Sequence, residues 1–302
     1  MDKKGLTLTM VVDAASANYG ESIGNISQLK KMTRQGGEVY TYISRQAIRY
    51  NIVQQMGIDD TPVKIGSDNN SGNKKGVAQF DLSAKIDEYP EIDLFGYMKT
   101  IPSKNKNEKK GTQETRSAVV RLSNAISLEP YNMDNDFGNN MGLAQRIGQS
   151  GNMVLQSEIH KSLYCYTVTC DLDKVGIDEK AKIEISNDEK ASRVVSLLET
   201  LEFLYRDIKG RRENLNPVFA VGGVYDRKNP YFEDRIKTYN QKLNVELINS
   251  IINSCDDTKN NTVVGVLPGI FANDDEIKTQ LTVMSIADVF SQLKKKVKAY
   301  YA

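Results

Sequence analysis

The 302-residue chain carries 40 basic and 39 acidic side chains, a formal net charge of +1, with 39% hydrophobic and 26% charged residues. That composition belongs to a globular soluble protein and excludes a disordered chain, and the length allows one large domain with insertions or two domains. No apolar run approaches the ~20 residues that cross a bilayer, and the N-terminal stretch lacks the basic, apolar, small-residue succession of a signal peptide, so a cytoplasmic protein without a membrane partner is expected.

The near-neutral total conceals basic runs at Lys74 and Lys75, at 104–110 and at 294–298, balanced by acidic stretches elsewhere. Overall charge therefore neither requires nor excludes a nucleic-acid partner. Cys165, Cys170 and Cys255 make an odd count, and the first two sit five apart in a strand-like run, hence on opposite faces. All three are expected to be reduced thiols. The single His160, with no CxxC or HxxxH spacing near it, argues against a structural zinc site. No metal and no cofactor are expected.

In chain order, Leu6, Leu8, Met10 and Val12 alternate with Thr7, Thr9, Val11 and Asp13, the period-2 pattern of a strand with one core face and one wetter face. A polar loop over 14–37 follows, carrying Asn18, Lys30, Lys31 and Arg34. A helix is expected to open at Glu38, with Val39, Ile43, Ala47, Tyr50, Val53 and Met56 as its apolar stripe and Gly57 as its stop. Arg45 and Arg49 lie four apart and share one helix face. Two guanidinium groups one turn apart beside a basic loop suit a phosphodiester backbone; a solvated face is the plainer alternative.

Residues 58–116 read as an insertion with polar, low-complexity segments, interrupting the core without forming one of its own. Strand character returns over 117–128, where Ala118, Val120 and Leu122 alternate, and Pro130 ends it. A second insertion, 131–154, is rich in Asn, Gly and Gln with isolated Met141, Leu143 and Ile147, which could be a wedge or a loop anchor. A long strand is expected over 155–172. A helix is expected over 186–210, opened by Ser186 and Glu189 and stopped by Gly210. A strand over 218–224 contains Gly222 and Gly223, which permit close backbone approach to a phosphate or to a neighbouring segment. A helix over 236–251, a strand over 262–267 and a C-terminal helix bearing Lys294, Lys295, Lys296 and Lys298 complete the chain.

The strong elements run strand, helix, strand, strand, helix, strand. That is the α+β, ferredoxin-like order, which is also the order of the RNA-recognition motif. No aromatic signature of stacking on the central strands is visible.

The stretch Leu6-Thr7-Leu8-Thr9-Met10-Val11-Val12, then Ala17-Asn18-Tyr19-Gly20, then Ser44-Arg45-Gln46-Ala47-Ile48-Arg49, resembles the DevR-type backbone subunit of type I-B CRISPR Cascade complexes. The resemblance implies one RNA-recognition-motif-like palm over 1–302, with a finger-like insertion at about 58–116 and a thumb-like one at 131–154. It implies a protein of antiviral defence whose copies polymerise head to tail along CRISPR RNA beside other Cascade subunits and present the guide for pairing with a target DNA strand. Asn18, Lys30, Lys31, Arg34, Arg45, Gln46 and Arg49 become guide-binding candidates, and Met141 or Leu143 becomes the thumb wedge. Related subunits of type III complexes cut RNA with an aspartate in the loop after the first strand; here that loop holds Glu21, and Asp13 ends the strand. No catalytic residue is expected. A metal-dependent endoribonuclease using Asp13 or Glu21, or a free-standing RNA-binding regulator with the same palm, are the alternatives.

Overall fold

The structure is a computed structural model that describes residues 2–15, 19–23, 26–34, 36–65, 77–101, 112–139, 141–148 and 154–302, without the side chains of 21–23, 143 and 154–155. Its main sheet is made, among the described residues, of nine strands: β1 (Gly5–Ala14), β2 (Lys31–Thr33), β3 (Val39–Ile43), β4 (Val120–Leu122), β5 (Ala125–Ser127), β6 (Ser162–Asp171), β7 (Pro217–Tyr225), β8 (Val263–Val266) and β9 (Val283–Met284). The order across the sheet is β9-β8-β7-β1-β6-β5-β3-β2, with β4 pairing β6 beside β5. At its centre β1 runs antiparallel to both β6 and β7. With helices α1 (Arg45–Met56) after β1 and α2 (Asn187–Glu202) after β6, this is the ferredoxin-like palm of the RNA-recognition motif, widened at both edges.

One face of the sheet is covered by α1, α2 and α3 (Ile286–Tyr301). Leu6, Leu8, Met10 and Val12 of β1 meet Tyr164, Tyr166 and Val168 of β6, Ile48 and Ile52 of α1, Leu197, Leu198 and Leu201 of α2, and Phe290 and Leu293 of α3 in one core. Burying that many large side chains at ~25 cal/mol per Å² is what drives the helices onto the sheet.

The opposite face is not the wetter one expected. Thr7, Thr9 and Val11 are buried, because the segment carrying Phe232, Ile236, Leu243, Ile248 and Phe271 folds over them as a second core. Thr9 keeps its hydroxyl satisfied there by the hydroxyl of Thr167, 2.8 Å away.

Several boundaries also differ from the periodicity. The run Val39–Ile43 is a strand, and α1 opens at Arg45 behind Ser44, whose hydroxyl accepts the Ala47 N–H at 3.3 Å. β-Branched and aromatic residues at alternate positions outweigh a helical spacing that they also happen to fit. Ile48, Ile52 and Val53 form the buried stripe, and Tyr50 is exposed. Gly57 does end the helix, at φ 65°.

The expected long strand breaks at His160 and Lys161 into Val154–Ile159 and β6. The helix after Ser186 ends at Glu202, and Gly210 turns a hairpin, Tyr205–Ile208 against Arg211–Asn214, instead of stopping a helix. Ile236 and Tyr239 precede the helix Val245–Ile252. The expected strand over 117–128 is two short ones, β4 and β5. In the loop expected over 14–37 the described residues include the strands Tyr19–Ile23 and Ile26–Leu29 as well as β2.

Gly222 and Gly223 serve chain packing: a Cβ on Gly222 would lie 2.1 Å from the Thr7 carbonyl oxygen, and one on Gly223 would lie 2.4 Å from that of Asn261.

No described strand of 58–116 joins the main sheet. The segment nonetheless has a small core, contrary to expectation: Ala84, Ile86 and Ile92 with Phe80, Tyr89, Tyr97 and, from outside the segment, Ile183. Buried Asp93 of its short helix Pro90–Phe95 fastens it to the palm through Arg193 of α2 at 2.9 Å and the Gly176 N–H at 3.0 Å, and bonds the partly buried Arg116 of its own segment at 2.5 Å. The strands Asp134–Asn139 and Val154–Ile159 form an antiparallel hairpin, with the helix Met141–Arg146 between them; Val154–Ile159 pairs in parallel with Ile26–Leu29. Cys165 and Cys170 are reduced and belong to opposite cores. Among the described residues no helix is long and apolar enough to cross a membrane.

Candidate nucleic-acid interface

The N-terminal half of α1 lies beside β4, and between them is a cleft of about 430 Å³ lined by Arg45, Gln46, Arg49, Phe95, Ala118, Val120, Arg121 and Leu122. Its geometry begins in local chemistry. Ser44 caps α1, and the Asn124 side-chain oxygen accepts the Arg45 N–H at 2.9 Å, fixing the helix start against the turn between β4 and β5. The first turn of α1 contains no acidic residue, so the positive end of the helix dipole adds to the arginines. Gly96, at φ 69°, brings the insertion against the palm: a Cβ there would sit 2.7 Å from the Ala118 backbone nitrogen.

Arg45 and Gln46 are exposed. Arg49 is half-buried, with its guanidinium 5.0 Å from the Phe95 ring and 3.5 Å from the Glu91 carboxylate. Burial pushes the Glu91 carboxyl up, against the opposing pulls of the Thr61 side chain and Arg49. Arg121 reaches Asp171 at 3.1 Å and remains half exposed. Three arginines thus line the cleft together with Leu122 and with Phe95 and Val120, which are themselves nearly buried.

The remaining candidates are placed elsewhere. Lys31 bonds the buried Glu158 at 2.6 Å and lies 4.8 Å from the Tyr131 ring; Glu158 also accepts the Leu29 N–H at 2.8 Å. Arg34 stacks 5.0 Å from Tyr40, stands 3.6 Å from Asp234 and lines a narrow groove on the second face with Cys165 and Thr167. Lys30 is partly buried, and its carbonyl accepts the Tyr42 N–H at 3.0 Å. Asn18 lies outside the described residues, as does the Leu143 side chain. Met141 is exposed on the helix between the hairpin strands, on a projection that also exposes Met133, Phe137 and Ile147. The structure therefore gathers Arg45, Gln46 and Arg49 into one cleft and sets Lys31 and Arg34 apart from it.

Two features escape a reading of the sequence. Arg121 lines the cleft although it alternates out of phase with Ala118, Val120 and Leu122, and its only signal is a basic residue within that run. Lys209, at the turn of the hairpin after α2, donates to the Ser157 hydroxyl at 3.1 Å and lies 4.5 Å from the Tyr19 ring; the helix expected over 186–210 concealed it. Asp13 forms an ion pair with Lys161, and the Glu21 side chain is outside the described residues. Among the described residues no three His, Cys, Asp or Glu side chains cluster as a metal site.

A sequence model of the family described as "CRISPR-associated negative auto-regulator DevR/Csa2" matches residues 6–244. The chain belongs to the DevR/Csa2 family. The match runs from β1 through α1 and the cleft to the start of the helix Val245–Ile252. Among curated proteins, a DevR relative from Myxococcus xanthus (strain DK1622), "CRISPR-associated protein Cas7/Cst2/DevR", is 28% identical over 174 residues. That alignment takes in 55% of this chain and 57% of the relative, so the chain spans a little over half the length of the relative it matches.

The DevR/Csa2 palm also recurs in solved structures. A chain of a "CRISPR RNA-guided surveillance complex, pre-nicking" superposes with a TM-score of 0.62 at 10% identity, over 96% of this chain and all of that one. A chain of a "CRISPR RNA-guided surveillance complex" superposes with a TM-score of 0.60 at 12% identity, over 99% of this chain and all of that one. At such identities the likeness is one of fold.

Proposed function

We propose that this chain is an RNA-binding backbone subunit of a CRISPR RNA-guided surveillance complex, assembling head to tail along a guide RNA that is held for pairing with target DNA. The observation that carries the reading is the cleft at the start of α1, where Arg45, Gln46 and Arg49 converge with Arg121 in a member of the DevR/Csa2 family. Arginine forks bind phosphate oxygens without reading sequence, which leaves base edges free for pairing. Residues 58–116 act as the finger and 131–154 as the thumb, with Met141 or Leu143 as the wedge toward a neighbouring copy. Asn18, Lys30, Lys31 and Arg34 extend the guide path beyond the cleft, the last two after exchanging Glu158 and Asp234 for phosphate.

The role is binding and not cleavage. Asp13 is engaged by Lys161, and a metal-dependent nuclease needs its carboxylates free and clustered at the scissile phosphate.

Size-exclusion chromatography of the purified chain, read by its ultraviolet absorbance ratio and followed by nuclease digestion, tests the assembly. A large species whose RNA is protected at a regular short spacing is expected, and the Arg45→Ala/Arg49→Ala double variant should lose it as salt rises, with the salt slope reduced by about 2. A protein free of RNA that ignores added RNA at low salt overturns the reading. The family's description speaks of a negative auto-regulator; a free-standing regulator would bind RNA without the repeating footprint.

A further inference from the structure

The two carboxylates at the cleft are held differently. Asp171 has Lys174 at 3.7 Å and Lys228 at 3.9 Å besides Arg121 at 3.1 Å, so its charge stays answered when Arg121 turns away. Glu91 has Arg49, at 3.5 Å, as its one ion-pair partner among the described residues. The other groups that face it do not replace that partner: the Thr61 side chain is neutral, and Asp59 adds a second negative charge. The Glu91 side chain is 14% exposed, a setting in which an unpaired carboxylate is costly.

The carboxylate also cannot follow the arginine. Glu91 belongs to the short helix Pro90–Phe95, whose Asp93 is fixed by Arg193 at 2.9 Å and by the Gly176 N–H at 3.0 Å. Arg49 is the movable member, a long side chain with 36% of its surface in solvent. Its guanidinium lies 5.0 Å from the Phe95 ring, which keeps supporting the plane while the edge exchanges one oxyanion for another. A separation of 3.5 Å is also a looser pairing than the 2.9 Å of Arg193 on Asp93.

We propose that Glu91 is a proton-accepting counter-charge for the cleft: it neutralises Arg49 in the RNA-free protein, and it takes up a proton from solvent when an RNA phosphate draws the guanidinium away. Burial already pushes this carboxyl up, with Thr61 and Arg49 opposing the push and Asp59 adding to it. Losing Arg49 to phosphate removes the positive charge that opposes it, and the phosphate brings a further negative one. Proton uptake on binding makes affinity rise as pH falls, by at most about tenfold per pH unit for one proton. Through Glu91 the finger-like insertion thereby sets how firmly a palm arginine grips.

This inference rests on the RNA-binding reading above, and the test separates the two. Fluorescence anisotropy of the full chain would follow a labelled oligouridylate, whose bases do not titrate in the range used, at about pH 8 and about pH 5.5. Acidification is expected to tighten binding by the unaltered chain about threefold or more beyond the change seen with Glu91→Gln, which has no carboxylate to protonate. At the higher pH, Glu91→Gln should bind about threefold tighter than the unaltered chain, because its Arg49 is already released. Neither effect should survive in an Arg49→Ala background. Calorimetric titration of the unaltered chain in two buffers of different ionisation enthalpy counts the protons without any variant, and thermal unfolding checks that each variant is folded. Equal pH dependence for the unaltered chain and Glu91→Gln, or no proton uptake at about pH 6, overturns the counter-charge and leaves the RNA-binding reading standing. Weaker binding by Glu91→Gln also overturns it, since the carboxylate would then be a support that Arg49 needs. A chain that ignores the oligomer at both pH values overturns both readings.

Discussion

Arginine is used in two opposite ways in this molecule. Arg193 and Arg206 sit in the interior on Asp93 and Glu213, and Arg116 is partly buried on Asp93, each within 2.9 Å of a buried carboxylate. Around the cleft, Arg45 is exposed, Arg49 is 3.5 Å from its carboxylate and Arg121 is half in solvent. An interior guanidinium has given up its water for fixed partners and has nothing left for a ligand. A cleft guanidinium keeps its hydration and can trade it for phosphate. Counting basic residues along the chain conflates the two; burial separates them.

The contrast can be broken at its interior pole first. Asp93→Ala leaves Arg116 and Arg193 without their shared carboxylate and is expected to cost about 3–5 kcal/mol, read as the shift of the urea midpoint. A cost below about 1 kcal/mol would mean those guanidinium groups are as wet as the ones at the cleft.

Gly222→Ala tests the same interior without charge. Its Cβ would meet the Thr7 carbonyl 2.1 Å away, and a loss of about 1–3 kcal/mol is expected in thermal unfolding. An unchanged melting temperature would contradict the close approach of β7 to β1.

A smaller effect comes from His160, which burial holds below its ordinary pKa against the pull of Glu129 and Asp134. Its Nδ1 lies 2.7 Å from the Thr41 hydroxyl. The folded protein resists protonation there and the unfolded chain does not. Stability is therefore unaffected above about pH 6.5 and falls below it, by up to about 1.4 kcal/mol per pH unit until the folded pKa is passed. Comparing denaturant titrations across that range with His160→Gln isolates the slope, and identical slopes would place the imidazole in solvent.

The smallest stability change belongs to the cleft. Arg45→Ala/Arg49→Ala should alter unfolding by less than about 1 kcal/mol, and a larger loss would move those arginines into the first class.

The palm was legible wherever one period dominated. β1 and α3 each show a single clean repeat, and the strand and helix order alone led to the ferredoxin-like sheet. Val39 and Ile43 fit both a strand and a helix, and only the pairing of β3 with β2 and β5 decides between them. Gly210 ends a helix or turns a hairpin with the same residue. The burial of Thr7 and Thr9 depended on a segment more than 200 positions away. The cleft divides similarly: Arg45 and Arg49 share one helix face by their spacing and Gln46 is named only by the family resemblance, whereas Arg121 and Phe95 reach the cleft from other elements.

The projection carrying Met141 is held at its root at several points. The strand Val154–Ile159 leads through His160 and Lys161 into β6, pairs with Ile26–Leu29, and receives Lys209 on Ser157. In mechanical terms it is a cantilever clamped at its base. Load applied at the tip bends the hairpin before it swivels the root, so the direction of the arm is inherited from β6. In the head-to-tail assembly proposed above, such an arm would work as a gauge block, setting the step from one copy to the next by the geometry of the palm.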